Sequence, residues 1–415
     1  MPDPTQSILL LHVTGEDRPG ITASLTKILG EQNIEVLDIN QTVIHRSLLM
    51  GMLVRIPPAS ESTNLLKDLL FTAHHLGLQL RMTPVEDGEY DAWVGRQGKP
   101  RYILTLLARR LEAVYIGAVS TVLAQQGMNI DIITRLSGRP SRSDDDTKPR
   151  RACVEFSVRG QPSDENALRA ALMDVCQQHP IDVSWQRDDS FRRTRRLVAF
   201  DMDSTLIQHE VIDELAHEAG AGAQVAAITE AAMRGELEFN ESLTRRVATL
   251  KGLPESVLET VAKRLKLTEG AERLIGTLKG LGYKTAIISG GFTYFGEHLR
   301  KRLDIDYVCA NELEIESGKL TGRVKGSIIN AKRKAELLEE IARREHISLR
   351  QTIAVGDGAN DLPMLAAAGL GIAFHAKPLV AQSASHRISH LGLDGILYLI
   401  GVRDREILDD AAGKD

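Results

Sequence analysis

Apolar residues follow two regimes along this chain. Up to about residue 185 they alternate in short runs separated by helical spacing, and beyond residue 195 they gather in compact blocks between long amphipathic stretches. In the first regime Ser7 to Thr14 (SILLLHVT) reads as a strand, and Gly20 to Gln32 as a helix with Ile21, Leu25, Ile28 and Leu29 on one face. Asn33 to Ile44 and Ser47 to Ile56 read as strands, Asn64 to Leu76 as a helix and Leu78 to Met82 as a closing strand. The same order then returns. Arg101 to Ala108, Asn129 to Leu136, Arg151 to Val158 and Ile181 to Trp185 read as strands, with helices over Tyr115 to Gln126 and Asn166 to Gln178. Local wording repeats as well, EQNIEVLDI near residue 35 against QGMNIDIIT near residue 130. Two ferredoxin-like βαββαβ units are expected, over about 1–88 and 98–188. The polar stretch Ser137 to Arg150 reads as a mobile hairpin loop.

In the second regime Leu197 to Phe200 form a wholly apolar run, as a parallel strand buried on both faces requires. Val211 to Thr268 are rich in Ala, Glu, Leu and Arg, which predicts a helical insertion, a cap at about 207–269. Alternation then resumes: helix Ala271 to Leu281, strand Lys284 to Ile288, helix Lys334 to Glu345, strand Gln351 to Val355, helix Asp361 to Ala368, strand Leu370 to Phe374. The pattern predicts an α/β fold over 195–415, a Rossmann-like doubly wound parallel sheet with a helical cap. A β-hairpin is expected around Gly318.

Three predicted strands end on polar residues: the first on Asp201 and Asp203, the next on Ser289-Gly290-Gly291, the third on Gly356-Asp357-Gly358-Ala359-Asn360-Asp361. Lys334 opens the helix before the third strand. Singly, Ser289 could be a helix cap, Lys334 a surface lysine and the GDG a tight turn. Jointly they lie where ligands collect in open parallel sheets and supply carboxylates for a cation, plus a hydroxyl, backbone amides and a lysine for an anion. Phosphate is the natural anion, and an all-oxygen donor set without Cys or His suits Mg²⁺ better than zinc. Lys332, two residues earlier, competes with Lys334; the spacing to Asp357 favours Lys334.

Composition narrows the class. With 43% hydrophobic and 26% charged residues and a net charge of −5, the chain is ordinary globular material without a nucleic-acid footprint. One basic run, Arg192, Arg193, Arg195 and Arg196, reads as a solvated linker face. Cys153, Cys176 and Cys309, widely spaced, are expected to be reduced. Neither a signal segment nor an apolar run of membrane-spanning length is visible, so a cytoplasmic protein without membrane contact is expected.

The set D-x-D-S-T from Asp201, S-G-G from Ser289, Lys334 and G-D-G-x-N-D from Gly356 resembles haloacid dehalogenase-type phosphohydrolases, in particular the phosphoserine phosphatases, over residues 195 to 400. The resemblance implies that Asp201 is the nucleophile and Asp203 the general acid/base. It also implies Mg²⁺ on Asp201, the Asp203 carbonyl and Asp357. Ser289, Gly290 and Lys334 would receive the phosphoryl oxygens, with Thr205, Asn360 and Asp361 in support. Glu210, Met233, Phe239 and Arg246 match the positions that recognise O-phospho-L-serine; without the resemblance they read as an ordinary amphipathic cap. The first half resembles tandem ACT domains, whose characteristic turn is Gly15-Glu16-Asp17-Arg18-Pro19-Gly20. That likeness implies an amino-acid site at Asp17 and Gly20 and pairing of two chains through these domains. The second copy reads Arg109-Arg110-Leu111-Glu112-Ala113, leaving only Gly117 just inside the helix. The implied reaction yields L-serine, the last step of its biosynthesis, with L-serine as the ligand sensed. Two alternatives stay open: a phosphatase or phosphotransferase for another phosphorylated amino acid or a phosphoprotein, and a non-catalytic amino-acid-binding regulator. The regulator would need a lost catalytic residue, and none is missing.

Overall fold

A computed structural model describes residues 7–57, 59–98, 100–139, 150–377, 380–381 and 384–407. They divide into two compact units, Met1–Lys99 and Pro100–Asp415. The first unit runs β1 (Ser7–Glu16), α1 (Ile21–Glu31), β2 (Glu35–Ile44), β3 (Ser47–Ile56), α2 (Ala59–His75), β4 (Gln79–Val85) and α3 (Asp87–Gln97). Its antiparallel sheet has the order β2-β3-β1-β4. Alternate residues of β1 and β3 (Leu9, Leu11, Val13; Met50, Met52, Val54) meet Leu25 and Leu29 of α1 and Leu65 and Leu69 of α2 in one core. Gly20 enters α1 at φ 93°, a left-handed geometry that glycine adopts without steric cost.

The second unit opens with the repeat: β5 (Arg101–Ala108), α4 (Ala113–Gln125), β6 (Asn129–Arg135), β7 (Ala152–Arg159), α5 (Glu165–Gln178) and β8 (Ile181–Arg187). Its order β6-β7-β5-β8 reproduces the first sheet strand for strand. A short helix α6 (Ser190–Arg193) leads to β9 (Leu197–Phe200), then the cap helices α7 (Val211–Glu218), α8 (Gly222–Met233), α9 (Phe239–Ala248) and α10 (Ser256–Arg264). The chain continues through α11 (Ala271–Gly280), β10 (Lys284–Phe292), α12 (Thr293–Leu303), β11 (Tyr307–Glu316), β12 (Lys319–Lys325), α13 (Ala331–Arg344), β13 (Thr352–Gly356), α14 (Leu362–Ala367), β14 (Leu370–Phe374), β15 (His386–Ile388) and α15 (Gly395–Leu399).

Seven strands form the main sheet in the order β12-β11-β10-β9-β13-β14-β15, parallel except for β12. β9 lies at its centre, and alternation explains its composition: Val198 and Phe200 enter one core, Leu197 and Ala199 the other. The register sets Phe200 opposite Ile287 and Val355, so the residues following β9, β10 and β13 emerge on one edge. β10 runs through the Ser289-Gly290-Gly291 stretch to Phe292, further than the predicted end at Ile288. The two cap linkers are zipped together by Thr268 N–H to Leu206 O (2.9 Å) and Gln208 N–H to Lys266 O (3.0 Å). The hairpin turn at Gly318 pairs with the cap, Gly252 N–H donating to Leu320 O and Leu320 N–H to Leu253 O.

One sequence reading needs correction. Arg192 and Arg195 are not solvated: they are 2% and 7% exposed. Asp189 caps α6 and folds the segment inward, Arg192 pairs with Glu155, and Arg195 donates to the carbonyls of Arg350 (3.1 Å) and Thr352 (3.2 Å). The Ser137–Arg150 stretch falls largely outside the described residues, but its beginning is anchored. Ser137 is buried with its Oγ accepting from Cys153 N–H, and Gly138 N–H donates to Asp404. The second βαββαβ unit is therefore built into the catalytic unit. Leu107, Leu136 and Cys153 enter the large core, Asp182 accepts from the amides of Ser389 and His390, and Arg109 makes a two-point ion pair with Glu269 at 2.6 and 2.7 Å. Among the described residues no helix is long and apolar enough to cross a membrane.

Candidate active site

Asp201 leaves β9 with its N–H donating to Val355 O of the neighbouring strand, and its Oδ1 accepts from Met202 N–H at 2.7 Å. Its Oδ2 lies 2.9 Å from Lys334 Nζ. Lys334 sits in the first turn of α13, which begins at Ala331, and its fully buried ammonium also donates to Asp361 Oδ1 at 2.7 Å. Burial alone would discharge this lysine; Asp201 and Asp361 outweigh it and hold its pKa raised. Lys332, the sequence competitor, is 87% exposed and pairs with Glu336.

Asp357, just past β13, accepts from Thr205 Oγ1 at 3.0 Å. Asp201, Asp357 and Asp361 each offer a carboxylate oxygen within 4.8 Å of the other two, an all-oxygen set that fits a hard divalent cation. Burial and the neighbouring carboxylates push Asp357 up to about 7 and Asp361 to about 6, which registers how much negative charge the cluster concentrates. Asp361 is already committed, one oxygen to Lys334 and the other to Gly358 N–H. Asn360 stands on the same turn against Gly358.

Asp203 turns toward the cap, where its Oδ1 accepts from Val211 N–H at 3.0 Å. Burial, then Glu210 and Asp201, raise its pKa well above the carboxylate range. Its Oδ2 lies so close to Gly291 that a Cβ there would come within 2.4 Å, which explains a glycine at this position. Ser289 is buried, its Oγ accepting from Gly291 N–H at 2.9 Å. The chain reverses at Ser204, with φ 55°, and Ser204 Oγ donates to Glu210 Oε1 at 2.8 Å.

From the cap, Phe239 reaches over Gly290, where a Cβ would meet its ring at 3.1 Å. Arg246 is partly buried and its Nε has no partner among the described residues; desolvation lowers its pKa while Glu210, Asp213 and Asp203 counteract. Met233 is not gathered in with these residues but stands 66% exposed at the end of α8. Away from this site, Asp17 is exposed on the β1–α1 turn with its N–H donating to Arg46 O, and Gly117 lies within α4 with its carbonyl accepting from Thr121. Sequence reasoning passed over Ser204 as part of a motif. It also passed over Lys377, whose N–H donates to Asp357 O and whose charge partly offsets the rise that burial imposes on the pKa of Glu210. The signal for Lys377 was its place just beyond a fourth parallel strand.

An acid pair at the end of the central strand, a hydroxyl at the end of the next and a buried lysine between two carboxylates define a haloacid dehalogenase-like hydrolase. The profile of that family matches residues 195–369, and two ACT-domain profiles match residues 7–83 and 101–186. The chain is 42% identical over 411 residues to the phosphoserine phosphatase SerB2 of Mycobacterium tuberculosis, spanning 99% of this chain and 97% of that one. It is 41% identical over 402 residues to the phosphoserine phosphatase of Streptomyces coelicolor, spanning 96% and 93%. A solved structure of a haloacid dehalogenase-family hydrolase from Salmonella enterica superposes with a TM-score of 0.62 at 33% identity, over 72% of this chain and 99% of that one. The chain belongs to the phosphoserine phosphatase family, with two ACT domains ahead of the hydrolase fold.

Proposed function

We propose that the protein hydrolyses O-phospho-L-serine through an aspartyl-phosphate on Asp201. The observation that carries this is the buried Lys334 bridging Asp201 Oδ2 and Asp361 Oδ1, a cation held beside a carboxylate that remains reachable from the cleft. An Asp201 oxygen attacks phosphorus, the bond from phosphorus to the serine oxygen breaks, and Asp203 delivers a proton to the departing alkoxide. Water then attacks phosphorus, Asp203 takes its proton, and phosphate leaves Asp201 free. The raised pKa of Asp203 suits the first of these steps, because it favours the protonated form that can donate. Ser289 and Lys334 receive the phosphoryl oxygens, and Gly290 lines the same pocket. Asn360 supports the Asp357 turn. Asp201, Asp357 and the Asp203 carbonyl would hold Mg²⁺, which when bound neutralises charge developing on the phosphoryl oxygens.

Substrate choice rests on the cap. Glu210 takes the ammonium and Arg246 the carboxylate, and its unpartnered Nε is the atom such a carboxylate satisfies. Phe239 closes over Gly290, and Met233 joins only if the cap moves. The first ACT domain senses L-serine at Asp17 and Gly20, and two chains pair through ACT edge strands. The exposed apolar residues Val36, Ile39 and Val43 on β2 and Ile132 and Ile133 on β6 support that pairing. Steady-state turnover of phosphoserine by the intact protein with Mg²⁺, with and without L-serine, tests the whole reading. Absence of turnover in Mg²⁺, or turnover that survives exhaustive chelation, would overturn the catalytic part; an L-serine response unchanged in Asp17→Ala would overturn the sensing part.

A further inference from the structure

Behind the phosphate-binding face one polar side chain is fully enclosed and uses both of its functional atoms. Asn311 on β11 is 3% exposed. Its Nδ2 donates to Gly290 O at 2.8 Å and its Oδ1 accepts from Ile329 N–H at 2.9 Å. These partners belong to separate segments. Gly290 lies within Ser289-Gly290-Gly291, where the parallel ladder between β10 and β11 is irregular from Ile288 to Phe292. Ile329 immediately precedes Asn330, whose Oδ1 caps α13 by accepting from Arg333 N–H at 3.1 Å, and α13 carries Lys334. A side chain at Gly290 would be 3.1 Å from Phe239 and 3.6 Å from Ile329 O, so the two segments and the cap meet at one point.

We infer that Asn311 is a positioning residue that fixes the distance between Ser289 and Lys334, the two groups that receive the phosphoryl group; this rests on the reading of the site given above. An amide is the side chain that can donate to a carbonyl and accept from an N–H at this spacing. A carboxylate loses the donor, and a leucine of similar shape loses both. With either change the carbonyl of the half-buried Gly290 loses this donor, and the Ser289 segment relaxes away from α13. Small displacements at a phosphoryl site are costly, because the groups act by position and not by forming bonds of their own.

The test uses Asn311→Leu and Asn311→Asp in the full chain, with kcat and KM for phosphoserine and the inhibition constant for orthovanadate as a phosphoryl mimic. The expected result is a fall in kcat/KM of about ten- to a hundredfold, carried mainly by kcat, with vanadate binding weakened by a comparable factor. An inhibition constant does not depend on the folded fraction, so a purely structural role leaves it unmoved. Kinetics within threefold of the parent, or lost activity with unchanged vanadate inhibition, would overturn the inference. If Asn311→Leu does not fold, Asn311→Asp decides by the same criteria. Absence of phosphoserine turnover in the unmodified protein would instead remove the underlying reading.

Discussion

On the floor of the cleft Lys334 interlocks with Asp361 and Asp201 at 2.7 and 2.9 Å, Lys334 and Asp361 out of reach of solvent and Asp201 only slightly exposed, while Thr205 steadies Asp357 and Gly358 steadies Asp361. Across from it the cap offers an exposed Met233, a Phe239 resting on Gly290 and an Arg246 with one N–H unmatched. The floor is satisfied by the protein itself, whereas the cap, on the function proposed above, is completed by the phosphoserine it binds. Chemistry that stabilises charge needs groups fixed beforehand, because reorganising them during reaction raises the barrier. Recognition of a substrate that must enter and leave tolerates, and uses, incomplete partners.

This contrast can be broken in graded steps. Asp201→Asn should cut kcat by on the order of 10⁴ while leaving the fold intact, since the nucleophile loses charge but not shape; turnover near the parent level would end the aspartyl-phosphate mechanism. Lys334→Met should lower stability by about 3 kcal/mol, because two buried carboxylates lose their shared cation. A denaturant midpoint close to the parent's would show that the floor is less interlocked than its distances imply. Arg246→Ala should raise KM roughly thirtyfold, about 2 kcal/mol, with melting temperature unchanged. Arg246→Lys should not rescue it, having lost the planar fork. An effect on kcat alone would move Arg246 from recognition to chemistry.

At the edge of the main sheet, acid is the probe. His386 on β15 bonds Ser184 of β8 at 2.8 Å, and burial, aided by Arg169 and Arg195, pushes its pKa down to about 3. The folded value lies below the unfolded one, so the unfolded chain binds the proton more readily. The stabilisation is full above about pH 6.5 and fades as pH falls toward 3, by at most about 1.4 kcal/mol per pH unit and less because the ring keeps some exposure. His386→Gln should flatten the acid limb of the stability profile; identical limbs in parent and variant would refute it. Smallest of all, Met233→Ala should change KM by less than about threefold, as expected of an exposed side chain. A larger change would show that Met233 is drawn onto substrate as the cap closes.

Much of the architecture was legible because it depends on local pattern. Leu197 to Phe200 could hardly be anything but a central strand, and the two βαββαβ units announced themselves by repeated order. What escaped had weak local signals: α3, with little apolar periodicity; α12, hidden behind Ser289-Gly290-Gly291; and β15, three residues long with two polar ones. The arginine run failed for another reason. A charged stretch is soluble by composition, and only carbonyls and a carboxylate from distant segments reveal that Arg192 and Arg195 are buried.

The second ACT turn teaches the same lesson. Its Arg109 and Arg110 replace the Asp-Arg-Pro-Gly wording of the first, and sequence could register that only as a loss. In the folded chain Arg109 grips Glu269 at the cap's second linker, a partner 160 residues away.

By itself the sequence determined which residue types stand at the strand ends, and hence that acids, a hydroxyl and a lysine share one edge, because strand register and the right-handed crossover leave few other arrangements. Tertiary structure alone decided that Lys334, which spacing had favoured over Lys332, lies between Asp201 and Asp361, that Asn311 ties two loops together, and that the cap presents an unmatched Arg246. These follow from distances between residues far apart in sequence, and neither composition nor periodicity encodes a distance across a core.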